Sequence, residues 1–230
     1  MEILSPAQKE IFSKTGKKYI ILGEVHGSRQ NILLAEEILK LLKGRKVAVC
    51  MEWELSAEEN EILKEYLLGE RTDLPAFSFF YNEGSGRFST EHRNFLDRVR
   101  DLNREAKNPI AVFGYDHAKE IWNDGESLNA AAIRNIVADF DTIIICCGNL
   151  HARNKEFTDE GEQYVPLGSY FNESESIHVR CTYESGSFLN YTESFGIHDA
   201  LDFKAESEID DEFFDLKISI AKSDPVHQFI

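Results

Sequence analysis

The chain has 230 residues, with 25 Lys+Arg against 41 Asp+Glu and a formal net charge of −16 at pH 7. That charge repels nucleic-acid phosphates and anionic lipid, so neither is an expected partner. Hydrophobic residues make up 42% of the chain, enough core for a single domain over residues 1–230 that needs no disulfide or metal to fold. No apolar run approaches the roughly 20 residues of a bilayer span, and no secretory-signal pattern opens the sequence, so a cytoplasmic location is expected.

In chain order, the first continuous apolar run is Tyr19-Ile20-Ile21-Leu22, which leads into Gly23-Glu24-Val25-His26-Gly27. Hydrophobicity on successive residues predicts a strand covered on both faces. Ser28 reads as the cap of the following helix, or as a nucleophile next to His26. Gln30 to Leu42 has a helical period, with Ile32, Leu33, Ala35, Ile38, Leu39 and Leu42 on one face, and ends at Gly44. A second strand, Val47 to Met51, runs into Glu52-Trp53-Glu54. Ser56 and Glu59 form a capping box that opens a helix to about Leu68. Asp73 to Thr90 holds Pro75, Gly84, Gly86 and the aromatics Phe77, Phe79, Phe80, Tyr81 and Phe88. A loop of that size reads either as a lid over a binding site or as a hydrophobic plug over the core.

Thr90 to Ala106 is the next helix, Ile110 to Phe113 a third strand entering Gly114-Tyr115-Asp116-His117, and Ser127 to Phe140 a further helix. The fourth strand, Thr142 to Cys147, ends in Gly148-Asn149-Leu150-His151. Beyond it, Ser176 to Tyr183 and Ser187 to Thr192, joined around Gly186, predict an antiparallel hairpin. Phe214 to Ile220 predicts a last strand, and the acidic stretch from Glu206 to Asp215 a solvated segment. Cys50, Cys146, Cys147 and Cys181 lie in strand-like runs without CxxC spacing and read as reduced, buried hydrophobes. Strands alternating with helices predict the α/β class: an open, mostly parallel sheet flanked by helices in three layers. The parallel core is expected over about residues 19–171 and a C-terminal antiparallel extension over about 172–230.

In such a sheet the carboxyl ends of the strands form one edge, and ligands bind in the crevice outside it. Glu24, His26, Glu52, Asp116 and His151 all stand at that edge. Imidazoles facing carboxylates suit general acid–base catalysis on a small-molecule substrate, in which a carboxylate fixes the tautomer of the histidine. The same side chains, His26, Glu52 and His151, are equally candidate ligands of a divalent metal. Asp116, Tyr115, Asn149 and Arg29 are expected to bind substrate at the same edge. There is no P-loop lysine after Gly23 to Gly27 and no Gly-x-Ser-x-Gly elbow.

The segments Ile21-Leu22-Gly23-Glu24-Val25-His26-Gly27, the strand-end Glu52, Gly114-Tyr115-Asp116, Gly148-Asn149-Leu150-His151-Ala152 and Tyr164-Val165-Pro166-Leu167-Gly168-Ser169-Tyr170 form an ordered set. In order and spacing this set resembles the superfamily that joins erythromycin esterases, ChaN-type haem-binding lipoproteins and TraB/Tiki proteases. The resemblance implies a hydrolase, esterase-like, that cleaves an ester or amide through water activated by His26. It further implies that Glu24 and Glu52 orient the base or the water and that His151 stabilises developing charge. The alternative it implies is a haem or iron-ligand binding protein of ChaN type, with Tyr81, Tyr115 and Tyr170 as possible axial ligands. The protease branch implies a divalent metal.

Overall fold

The computed structural model describes residues 2–74, 77, 86–117, 121–136, 138–191, 195–200 and 211–228. A helix that the sequence reading passed over comes first, α1 (Pro6–Lys14). Ser5 caps it by accepting from Gln8 N, the Gln8 side chain closes the box, and a proline stands in its first turn. There follow β1 (Tyr19–Glu24), α2 (Arg29–Leu41), β2 (Val47–Met51), α3 (Ala57–Leu67), α4 (Thr90–Asn103), β3 (Ala111–Gly114), α5 (Trp122–Ile136) and β4 (Thr142–Gly148). The remainder holds β5 (Phe157–Asp159), β6 (Glu162–Tyr164), a 3-10 turn at Leu167–Tyr170, β7 (Ser176–Tyr183), β8 (Ser187–Tyr191), β9 (Phe195–Asp199) and β10 (Leu216–Ile220).

The main sheet has six strands in the order β10-β7-β1-β4-β2-β3, every pair parallel. The inner strands β1, β2 and β4 are buried on both faces, which explains their unbroken apolar runs. On one face Leu22, Val49, Ile144 and Val179 pack with Phe12, Ile38, Leu63 and Phe95 from α1 to α4. On the other, Ile21, Cys50, Ile143 and Cys147 pack with Ala130 and Ile133 of α5 and with Leu167 and Phe171. The expected three-layer α/β class is therefore the observed one.

The topology opens the crevice. After β1 and β2 the chain leaves over the first face, whereas after β3 it turns through α5 over the second face to β4, which lies between β1 and β2. Loops on neighbouring strand ends thus part in opposite directions, the place where open α/β sheets bind ligands. Register fixes what stands around it, since Glu24 lies opposite Gly148 and Met51 lies between Cys146 and Gly114.

The predicted hairpin of Ser176 to Tyr183 with Ser187 to Thr192 is not formed. β7 pairs parallel with β1 and with β10, so the parallel core continues past residue 171. β8 instead pairs antiparallel with β9 in a small separate sheet, and β5 with β6 in another. The alternation in β7 was misleading because its polar residues are buried rather than solvated. His178 is fully buried between Ala152 O, 2.9 Å from Nδ1, and Ser176 Oγ, 2.9 Å from Nε2, and Arg180 lies over the Phe214 ring. All four cysteines are free and buried. Phe77 and Phe88 join the core on the helical face. Phe79, Phe80 and Tyr81, with residues 206–210 of the acidic stretch, lie outside the described residues.

Ile144 is fully buried in β4 at the centre of the sheet. Ile144→Ala should lower unfolding free energy by about 2–5 kcal/mol and Ile144→Val by about 1 kcal/mol, read from urea denaturation.

Candidate functional site

Glu52 is the first residue beyond β2, with only 5% of its side chain exposed. One of its oxygens, Oε2, accepts from the backbone N of Gly148 at 2.9 Å and lies 3.3 Å from His26 Nε2. The other, Oε1, pairs with an Arg87 nitrogen at 2.8 Å and lies 3.8 Å from His151 Nε2. A buried carboxylate is thereby ringed by a guanidinium and two imidazoles.

Each imidazole has a second carboxylate behind it. His26 Nδ1 is 3.1 Å from Glu24 Oε1, and His151 Nδ1 is 2.8 Å from Glu126 Oε1. The other oxygen of Glu126 accepts from Leu167 N at 2.6 Å, and the Trp122 ring stacks on His151 at 4.4 Å between centroids and 14° between planes. Arg87 also pairs with Asp116 Oδ2 at 3.0 Å, and its carbonyl accepts from Trp53 Nε1 at 2.6 Å. Asp116 Oδ1 accepts from Asn129 Nδ2 at 3.3 Å. A Cβ added at Gly148 would lie 3.3 Å from both His26 Nε2 and His151 Cδ2, so the two rings border one point and a side chain there would press on both.

The His26 turn is built from backbone. Gly27 has φ +86°, and a Cβ there would lie 1.8 Å from Leu189 O. Its carbonyl accepts from Leu189 N at 3.1 Å and Val226 N at 2.9 Å, so β8 and the segment after β10 both brace the turn. Gly86, just before Arg87, also meets it closely, since a Cβ at Gly86 would lie 2.8 Å from Gly27 N.

The charges are coupled. Burial alone would raise the Glu52 carboxyl, but the charges of His151, His26 and Arg87 outweigh it and hold that group far below the usual carboxylate range. Burial would depress His26, yet the charge of Glu52 and the bonds to Glu24 and Glu52 lift it to about 9. His151 is likewise pulled down by burial and pushed up further by Glu52 and Glu126, with a net rise. Glu24 is raised by burial, only partly offset by His26.

Of the residues expected from sequence, Glu24, His26, Glu52, Asp116 and His151 come together. Tyr115 does not join them: it is buried, its hydroxyl donates to Cys146 O at 3.3 Å, and burial drives its pKa far up, which suits neither substrate binding nor an axial phenolate. Asn149 is turned to β7, with its amide 3.4 Å from Cys181 O. Arg29 is exposed at the start of α2, where its backbone N donates to Asp224 O at 2.8 Å and its charge acts on Asp224. Ser28 does stand at the N-cap, but it is buried and bonded to Gln30 and Ser223 rather than presented as a nucleophile. Tyr81 lies outside the described residues. Among those residues no group of three or more His, Cys, Asp or Glu side chains is arranged to hold a metal. His26, Glu52 and His151 fit one poorly because both Glu52 oxygens are already taken, Oε1 by the Arg87 guanidinium and Oε2 by the Gly148 backbone N. Sequence reasoning missed Arg87, Glu126 and Trp122. The only sign of Arg87 was a lone cation among glycines and aromatics, and Glu126 carried no sign at all.

No protein-family model matches this sequence, and no curated protein is significantly similar to it. Solved structures share its fold. A Bacillus cereus protein, 11% identical, aligns over 98% of this chain and 93% of its own length with a TM-score of 0.65. A succinoglycan biosynthesis protein, also 11% identical, aligns over 97% of this chain and 92% of its own with a TM-score of 0.70. The Pasteurella multocida toxin, whose C-terminal region carries a thiol-protease-like catalytic triad, aligns over 95% of this chain and 28% of its own length, at 11% identity and a TM-score of 0.51.

Glu52→Gln should bring the titration of His26 down from about 9 toward the ordinary histidine value, read by NMR of labelled imidazoles. A histidine raised from 6.5 to about 9 on folding adds stability that is complete below about pH 6.5 and is lost as pH rises through about 9. The variant should show a smaller loss over that window in pH-dependent denaturation.

Proposed function

We propose that the chain is a hydrolase of the erythromycin esterase/ChaN-like type that cleaves an ester or amide of a small molecule in the crevice above the sheet. The observation that carries this reading is buried Glu52, set between the Nε2 atoms of His26 and His151. Hydrolysis of a carbonyl compound needs a group that takes a proton from water, one that returns it to the leaving group, and fixed positive charge near the developing oxyanion. Two imidazoles, with Glu52 between them, and Arg87 supply that set. The resemblance of the strand-end motifs assigns water activation to His26.

Two other chemistries find less support. A thiol route lacks its nucleophile, because all four thiols are buried, and burial raises the pKa of each. A haem site of ChaN type draws less on the tyrosines expected for it, since the Tyr115 hydroxyl donates to Cys146 O in the core and Tyr170 packs with the second-face cluster.

His26→Asn and His151→Asn should each reduce turnover of a panel of chromogenic esters by at least about 100-fold. Far-ultraviolet circular dichroism should show both variants folded. Wild-type turnover that persists in both variants would sink the proposal, as would a wild type inert toward every ester and amide tried.

A further inference from the structure

The resemblance gives the proton of the attacking water to His26, but the partners of the two imidazoles differ from that assignment. We propose that this acceptor is His151, held for the task by Glu126 as a positioning residue, and that His26 serves as a fixed imidazolium. The inference rests on the proposed hydrolysis for the identity of the reaction, but the arrangement of protons stands on its own geometry.

Both ring nitrogens of His26 are engaged with carboxylates, at 3.1 Å to Glu24 and 3.3 Å to Glu52. A base needs a bare nitrogen facing the reacting molecule, and this ring has none to offer without breaking one of those pairs. His151 differs. Its Nδ1 is bonded to Glu126 at 2.8 Å, while its Nε2 stands 3.8 Å from Glu52, beyond hydrogen-bond distance. The ring is more exposed than that of His26, 21% against 15% of the side chain. A carboxylate on Nδ1 and a bare Nε2 toward the crevice is the arrangement of a histidine general base whose tautomer is fixed from behind.

Glu126 is itself pinned. Leu167 N donates to one of its oxygens and His151 Nδ1 to the other, so both donors require acceptors that only a carboxylate provides together. Trp122, one turn earlier on α5, covers a face of the His151 ring and blocks its rotation away from Glu126. The charged groups that act on His151 are Glu52 from β2, Glu126 from α5 and His26 from the β1 turn. With one close carboxylate rather than two, His151 should lose its proton before His26 as pH rises.

The step balances without a further reagent. Water gives a proton to Nε2 of His151 as its oxygen bonds to the carbonyl carbon. The carbon–oxygen or carbon–nitrogen bond then breaks, and the leaving group takes that proton from Nε2. His151 ends neutral, as it began, and His26 stays charged throughout.

The test is NMR of the full chain labelled in its histidines, from acid pH to beyond the titration of His26. His151 is expected to titrate first and, once neutral, to carry its proton on Nδ1. Glu126→Gln offers one acceptor for two donors, so it should lower the His151 pKa and bring in the Nε2–H tautomer, with the His26 titration little changed. If the wild type turns over an ester, the same variant should lower kcat by between about tenfold and 10⁴-fold and move the acid limb of its pH profile down with the His151 pKa. Should His26 lose its proton first, or neutral His151 carry it on Nε2 in the wild type, the proposal is overturned whatever the turnover. If Glu126→Gln does not fold, the wild-type tautomer and titration order decide alone. A wild type with this pattern but no turnover refutes hydrolysis and leaves the Glu126–His151 pair as the proton acceptor of the crevice.

Discussion

A buried carboxylate costs several kcal/mol in lost hydration unless cations and donors replace the water. Glu52 meets that demand from four directions: the backbone N of Gly148, the guanidinium of Arg87, and the two imidazoles. These come from separate parts of the chain, so the ion cluster also ties the fold together at the edge where parallel strands present no partner of their own. Removing one cation leaves the others facing an undercompensated charge. The cluster should therefore respond to substitution as a unit rather than as a sum of pairs.

Convergence of the strand ends was legible because it needs little information. Continuous apolar runs mark buried parallel strands, and parallelism alone places Glu24, His26, Glu52, Asp116 and His151 at one edge. What was not legible depends on tertiary register. Glu126 falls just outside the helix predicted from Ser127, whereas α5 in fact begins at Trp122. Those extra residues turn Trp122 and Glu126 onto His151, and nothing in their local spacing marks them as a pair with a residue 25 positions away. Arg87 follows a glycine whose close approach to Gly27 is a backbone matter with no side-chain signature. The misread hairpin has the same root. Polar residues in β7 imitate a solvent face because their burial is compensated by partners distant in sequence, as with His178 and Ala152.

The segment after β10 shows how far such bracing extends. Asp224 N donates to Gln30 Oε1 at 2.7 Å, Gln30 Nε2 donates to Asp224 Oδ2 at 3.0 Å, and Ser223 Oγ donates to Ser28 Oγ at 2.8 Å. Farther on, Thr90 N donates to His227 O at 2.9 Å, and Glu91 pairs with His227. The turn that carries His26 and the start of α4, which follows the Arg87 loop, are thus tied to one short stretch of chain. Loops that hold reacting groups gain precision when rigid elements fix their backbone, and here much of the rigidity is supplied from the far end of the sequence.

Charge balance decides what such a cluster can do. Four carboxylates, Glu24, Glu52, Asp116 and Glu126, face Arg87 and two histidines. With both rings protonated the set carries one net negative charge, and deprotonation of a ring makes it more negative still. This is why both imidazoles hold their protons more firmly than usual. A substrate carbonyl that becomes an oxyanion would add negative charge to a group already short of positive charge, which favours a mechanism in which one ring gains a proton as that charge appears. Proton transfer to an imidazole in step with bond formation achieves this, because the site becomes more positive at the moment the oxyanion forms. In the proposed hydrolysis the carboxylates would raise the basicity of the accepting ring, and the cations fixed by Glu52 would remain in place when the charge arrives.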